Sequence, residues 1–170
     1  MKMMPLSLRI GTVVAAAAAV YLAGCAGYGP GQLPTGATAS QVQDQMGPPT
    51  GRYPRPEGGE RLEYARGPFA KHTFMVDLDA AGRVQRWEQV LREDTFNQVV
   101  PGMTADELRY KLGRPAKQFG IWRGATVWTW RYETPFCQWF MVTVEPNRVV
   151  RDSGYGPDPI CEVNEKDDRR

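Results

Sequence analysis

Residues Val100 to Pro115 read VPGMTADELRYKLGRP, a short helix with its start and stop signals written into it. Thr104 is placed to cap the first turn, and Glu107, three residues later, can return a hydrogen bond to the cap's own N–H. Met103 before the cap and Leu108 inside the helix form a hydrophobic staple. Asp106 and Glu107 put negative charge where the helix dipole favours it. Leu108 and Leu112, four apart, share the face that turns to a core. Gly113 ends the helix in a left-handed conformation, and Pro115 blocks its continuation.

The same grammar occurs 66 residues upstream, in GATASQVQDQMGPP at 36–49. Thr38 and Gln41 make the capping box, Val42 and Met46 the apolar face, and Gly47 and Pro49 the stop. The register continues into strands. Leu62 and Tyr64 fall on Trp128 and Trp130, and Phe74-Met75-Val76 falls on Phe140-Met141-Val142. At the following turn the alignment slips by one residue, with Gly82-Arg83-Val84 facing Asn147-Arg148-Val149. Matching caps, helix faces and strands at one offset mark an internal repeat.

Strand periodicity follows each helix. Thr126 to Tyr132 alternates, placing Trp128, Trp130 and Tyr132 on one face and Val127, Thr129 and Arg131 on the other. Phe136 to Val144 alternates likewise, and a turn at Pro146-Asn147 leads into Arg148 to Asp152. The first copy offers Arg61 to Arg66, His72 to Leu78 and a long strand from Arg83 to about Arg92, with a helical turn around Asp94 to Val99. The expected fold is α+β. It has two tandem modules, each a short helix (or helical hairpin) followed by a three-stranded antiparallel meander in two-layer packing. The expected division is a signal at 1–24, a flexible tether at 25–35, modules at 36–92 and 93–160, and a charged tail at 161–170.

Lys2 and Arg9 precede an apolar run from Ile10 to Ala23, the outline of a secretory signal. It closes on Leu22-Ala23-Gly24-Cys25, which resembles the lipobox of bacterial lipoproteins, so Cys25 is the expected lipid attachment site and mature N-terminus. Acyl chains contribute about 0.8 kcal/mol per buried methylene, ample for stable anchoring. By resemblance to Gram-negative sorting signals, Ala26 after the cysteine points to the outer membrane. Removing residues 1–24 takes away two basic residues and no acidic one, so 21 Lys+Arg become 19 against 19 Asp+Glu. A neutral mature chain lacks the basic footprint of a nucleic-acid binder. In an exported protein the remaining Cys137 and Cys161 point to a disulfide, whose 24-residue loop is worth about 3 kcal/mol in the chain-entropy model. A metal site finds no support from one histidine, His72, and no close-spaced cysteine pair.

The Gly102-Met103-Thr104 start, the helix with Leu108 and Leu112, Gly113-Arg114-Pro115, the Trp128-Thr129-Trp130 strand and the run from Phe140 to Asn147 together resemble the SmpA/OmlA (BamE-like) family of outer-membrane lipoproteins. The resemblance covers most of the second copy and, in degenerate form, the first, where Ala37 stands in place of the methionine and Leu62 in place of Trp128. It implies a non-enzymatic, lipid-anchored protein facing the periplasm, with outer-membrane β-barrel assembly components or another periplasmic protein as partner. Tandem copies also resemble the secreted β-lactamase inhibitor protein, which implies the alternative of an inhibitor or ligand-binding module.

The residues themselves show no nucleophile elbow, no metal-spaced histidines and no phosphate-cradling loop, so no catalytic residue, cofactor or metal is expected. The aromatic side chains carry more information. Trp139 and Met141 have the opposite parity to Phe140 and Val142 and are expected to face away from the helix, as a partner-binding pair. Trp122 and Arg123, in a loop flanked by glycines, form a second candidate contact.

Overall fold

The computed structural model describes residues 29–31, 33–67 and 70–161. The expected signal at 1–24, the expected lipid attachment site Cys25 and the charged tail beyond Cys161 lie outside the described residues.

Helix α1 (Ala39–Met46) precedes strands β1 (Gly51–Pro54), β2 (Glu60–Arg66), β3 (His72–Leu78) and β4 (Val84–Gln89). A single helical turn, α2 (Glu93–Phe96), leads to α3 (Ala105–Leu112) and then to β5 (Lys117–Gly120), β6 (Thr126–Arg131), β7 (Gln138–Val144) and β8 (Val150–Pro157). The strands form two antiparallel sheets of four, ordered β1-β2-β3-β4 and β5-β6-β7-β8. The expectation of three-stranded meanders is therefore wrong. Each helix is followed at once by a short edge strand, β1 pairing Arg52 with Leu62 and β5 pairing Gln118 with Trp128. These strands are four residues of mixed polarity on the sheet edge, with no fully buried position to mark them as strands. The last strand is also longer than expected, because Gly154 and Gly156, which read as loop, pair with Met141 and Trp139.

Local chemistry accounts for the helices. The Thr104 N–H donates to Glu107 Oε2 at 2.8 Å and the Glu107 N–H donates to Thr104 Oγ1 at 3.2 Å; Thr38 and Gln41 do the same at 2.8 and 3.3 Å. The capping bond pulls the Glu107 carboxyl below the usual range. The 66-residue offset also runs through the turn, against the expected slip. Thr38 bridges Arg83 and Thr104 bridges Val149, while the left-handed turn residue is Gly82 (φ 72°) in one copy and Arg148 (φ 64°) in the other. Asn147, the better left-handed residue by propensity, misled the alignment.

Two-layer packing also fails. One core lies between α1 and the first sheet and includes Val42, Met46, Leu62, Tyr64 and Val76. Leu33 joins it, and the Gln45 amide donates to the Pro30 carbonyl, so part of the stretch expected to be a tether packs against the first module. The second core sets Ala105, Leu108 and Leu112 of α3 against Trp128, Trp130, Phe140 and Val142. It also takes in Met75, from the face of the first sheet that points away from α1. The opposite side of α3 meets that same face: Tyr110 stands edge-on to Tyr53 at 6.2 Å, and the Arg61 guanidinium lies 4.9 Å from the Tyr110 ring centroid. The order of layers is helix, sheet, helix, sheet.

Charge is buried at this junction and is paired. Arg61 reaches Asp77 at 3.1 Å and Glu88 at 2.6 Å, with the Arg61 and Asp77 side chains only 4% and 3% exposed. Arg86 completes the group by donating to Asp77 at 2.8 Å. Tyr53 donates to the buried Glu63 at 2.5 Å, and burial together with this bond raises the phenol's pKa. Arg114, just past α3, donates to the Thr50 carbonyl at 2.6 Å.

The two helix-stop glycines share a left-handed backbone, φ 74° at Gly47 and 75° at Gly113, but not their surroundings. A Cβ on Gly113 would lie 2.9 Å from Thr73 Cγ2 and 3.0 Å from Glu63 Cδ, whereas on Gly47 its nearest neighbour is an Arg66 nitrogen at 3.7 Å. Gly47→Ala is expected to cost about 1 kcal/mol from backbone strain, and Gly113→Ala about 2 kcal/mol more from overpacking the junction. Urea unfolding of the two variants measures the difference, and equal costs would contradict the close approach.

Candidate functional site

Strands β5 and β6 make a hairpin in which Gly120 faces Thr126 and the Ile121 N–H donates to the Ala125 carbonyl at 2.8 Å. Trp122–Gly124 forms the tight turn at its tip, with positive φ at both Arg123 and Gly124. Arg123 sits in the left-handed region (φ 65°, ψ 20°), a conformation that costs a non-glycine residue about 1 kcal/mol or more, and its guanidinium lies 4.6 Å from the Trp122 ring centroid. Trp122 is 81% exposed, the most exposed large apolar side chain among the described residues. The two residues expected to act together do touch.

The matching hairpin of the first sheet is built differently. Its tip is Pro56-Glu57-Gly58-Gly59, and Arg55 folds back to donate to the Leu78 carbonyl at 2.9 Å and to Gln85 at 3.0 Å. One hairpin ties its arginine back to its own sheet; the other presents an indole to solvent. An exposed tryptophan on a closed, hydrogen-bonded turn has little conformational entropy to lose on binding, which is the character of a protein-binding hot spot.

Trp139 and Met141 lie, as parity indicates, on the face of the second sheet that points away from α3. Trp139 is nevertheless only 4% exposed. The Arg131 guanidinium lies 5.4 Å from its ring centroid and the Phe119 ring stacks at 6.5 Å. Met141 is half-buried, its Sδ occupying the space that a side chain on Gly156 would need, 2.6 Å from an ideal Cβ there. The expected outward Trp–Met patch is therefore covered, by an arginine on the neighbouring strand and by neighbouring apolar groups.

What holds Arg131 in place was not legible in the sequence. Asp158, beyond the end of β8, accepts two bonds from it, at 2.5 and 3.0 Å. The Asp158 N–H donates to the Cys137 carbonyl at 3.1 Å. The Cys137–Cys161 disulfide, expected from the cysteine count, is present and fastens this segment to the start of β7 with 6.3 Å between Cα atoms. Burial works to raise the Asp158 pKa, but the Arg131 pair and the Ile160 N–H outweigh it and hold the carboxyl below its usual range. No local pattern links Arg131 to Asp158; only the length of β8 brings them together.

Among the described residues, clefts open at the junction and beside the disulfide. One, of about 800 Å³, opens between the first sheet and α3 beside Arg86, Gln98 and Lys111. Its charges are already engaged, Arg86 with Asp77 and Lys111 with Gln98. The other, of about 430 Å³, lies beside the disulfide and is lined by Lys71, Arg131, Pro135 and Ile160. His72 stacks on Phe74. Among the described residues no group of His, Cys, Asp and Glu is placed to hold a metal, and no helix is long and apolar enough to cross a membrane.

No protein-family model matches the chain, and no curated protein matches it significantly. A solved structure from Streptococcus mutans, described as a candidate β-lactamase inhibitor protein, is similar with a TM-score of 0.34 and 12% identity, covering 75% of this chain and 87% of that one. So slight a likeness carries neither fold nor function across.

Asp158 yields a pH prediction. Its folded pKa lies below the unfolded value, so its contribution to stability is present above about pH 3.9 and is lost as pH falls through the folded pKa. Asp158→Asn is expected to lower stability at pH 7 by about 2 kcal/mol, with the deficit shrinking toward zero in acid. Thermal melts from pH 7 to pH 2 read this directly. A deficit independent of pH would contradict the ion pair.

Proposed function

We propose that this chain is a lipid-anchored outer-membrane protein, facing the periplasm, that binds another protein in outer-membrane protein assembly or envelope maintenance. The observation that carries the reading is Trp122, held with Arg123 on a closed hairpin whose counterpart in the first sheet is polar and tied down. Localisation rests on Leu22-Ala23-Gly24-Cys25. Kinship with the SmpA/OmlA (BamE-like) lipoproteins rests on the Gly102-Met103-Thr104 and Trp128-Thr129-Trp130 motifs, with the fourth strand of each sheet a departure from the meander that resemblance implies. The lipid supplies address, and the hairpin supplies recognition. A periplasmic-enzyme inhibitor would use the same hairpin by inserting the indole into an active-site cleft.

A photo-activated cross-linker at position 122, in cells fed labelled palmitate, tests both parts. The expected result is palmitate in the wild-type chain but not in Cys25→Ser, with capture of a barrel-assembly component from position 122. Trp122→Ala should weaken that complex by about 30-fold without shifting the melting temperature. Capture of a soluble periplasmic enzyme that the purified chain inhibits would favour the inhibitor reading. Label retained by Cys25→Ser, or capture of nothing at position 122, would overturn the proposal.

A further inference from the structure

Four facts meet at one end of the second sheet. The Cys137 side of the disulfide is exposed to solvent and Cys161 is half-buried. Both cysteines line the 430 Å³ cleft, so an attacking group has room to approach. Lys71 and Arg131 line the same cleft, each ion-paired, with Glu133 at 3.6 Å and Asp158 at 2.5 Å, so the charge beside the disulfide is balanced and an anionic thiolate can approach. The bond fastens the segment whose Asp158 pins Arg131 over Trp139.

We propose that Cys137–Cys161 is a reducible site for a periplasmic dithiol oxidoreductase, and that its opening uncovers Trp139. The reductant's thiolate attacks the exposed Cys137 sulfur. The S–S bond breaks, a mixed disulfide forms at Cys137, and Cys161 leaves as a thiolate and takes up a proton. The reductant's second thiol then resolves the mixed disulfide, releasing the Cys137 thiol. Two electrons pass to the chain, and the dithiol becomes a disulfide.

With the link gone, the Asp158 segment keeps its two bonds from Arg131, its N–H bond to the Cys137 carbonyl and the neighbouring Gln138–Pro157 strand pairing, but it lies at the end of a strand rather than inside a closed loop. Fraying of this strand end separates Asp158 from Arg131, the guanidinium leaves the indole, and the face formed by Trp139, Met141 and Phe119 opens to solvent. This step acts at the opposite end of β6 from Trp122 and is independent of the hairpin reading.

Hydroxyl-radical footprinting of the mature chain tests it, because each tryptophan is read separately by mass spectrometry. The chain is compared oxidised, reduced with dithiothreitol and alkylated, and as the Cys137→Ser/Cys161→Ser variant. Trp130, 1% exposed in the core beneath α3, reports global unfolding, and Trp122 reports probe access. The expected result is about a tenfold rise in Trp139 labelling in both the reduced and the variant chain, with Trp130 and Trp122 unchanged. No rise at Trp139 would overturn the proposal. A rise at Trp130 as well would also overturn it, since the disulfide would then be a general staple of the fold.

Discussion

Helix α3 has a second job that α1 does not share. Both helices turn two apolar side chains toward their own sheet, Val42 and Met46 in one and Leu108 and Leu112 in the other. Only α3 is covered on its far side too, where it fills the back of the first sheet. The sequence difference that permits this is small. Tyr110 stands where α1 has Asp44, so one helix offers an aromatic ring to Tyr53 and Arg61 while the other offers a carboxylate to water. Gly113 is as close to Thr73 and Glu63 as a backbone without a side chain allows. The buried Arg61–Asp77 pair is tolerable there because both its ends are hydrogen-bonded; stripped of either partner, it would cost several kcal/mol.

Because α3 joins the two sheets, the parts that differ between the copies are held in a fixed relation. The hairpin tips differ: Arg55 ties one to its own sheet, and Trp122 leaves the other free to make a contact. The backs of the sheets differ as well. The first carries paired charge and Met75 beneath α3; the second carries Trp139 and Met141 beneath Arg131. Duplication supplied two similar units, and their divergence separated a structural sheet face from a covered one.

Much of this was legible because it is local. Capping boxes, helix stops and the parity of Trp128 and Trp130 depend on residues a few positions apart, and the 66-residue offset repeats them. Strands β1 and β5 were missed because edge strands of four residues have too few buried positions to show a period. The turn was misaligned because Arg148 adopts a conformation that Asn147 suits better by propensity. The covering of Trp139 depends on Arg131 and Asp158, 27 residues apart and joined through two strand pairings, a relation that no window of sequence contains. The hairpin residues Trp122 and Arg123 were identifiable from flanking glycines; that Arg55 ties the matching tip to its own sheet was not.

Helix α3, packed on the second sheet through Leu108 and Leu112 and on the first through the half-buried Tyr110, makes the two sheets one cooperative unit. Amide hydrogen exchange in low concentrations of urea measures this residue by residue. Inner-strand amides of β2–β3 and of β6–β7 are expected to open with the same free energy, and Leu112→Ala to lower both by the same amount. Full protection of β2 and β3 in that variant, with β6 and β7 already exchanging, would contradict it.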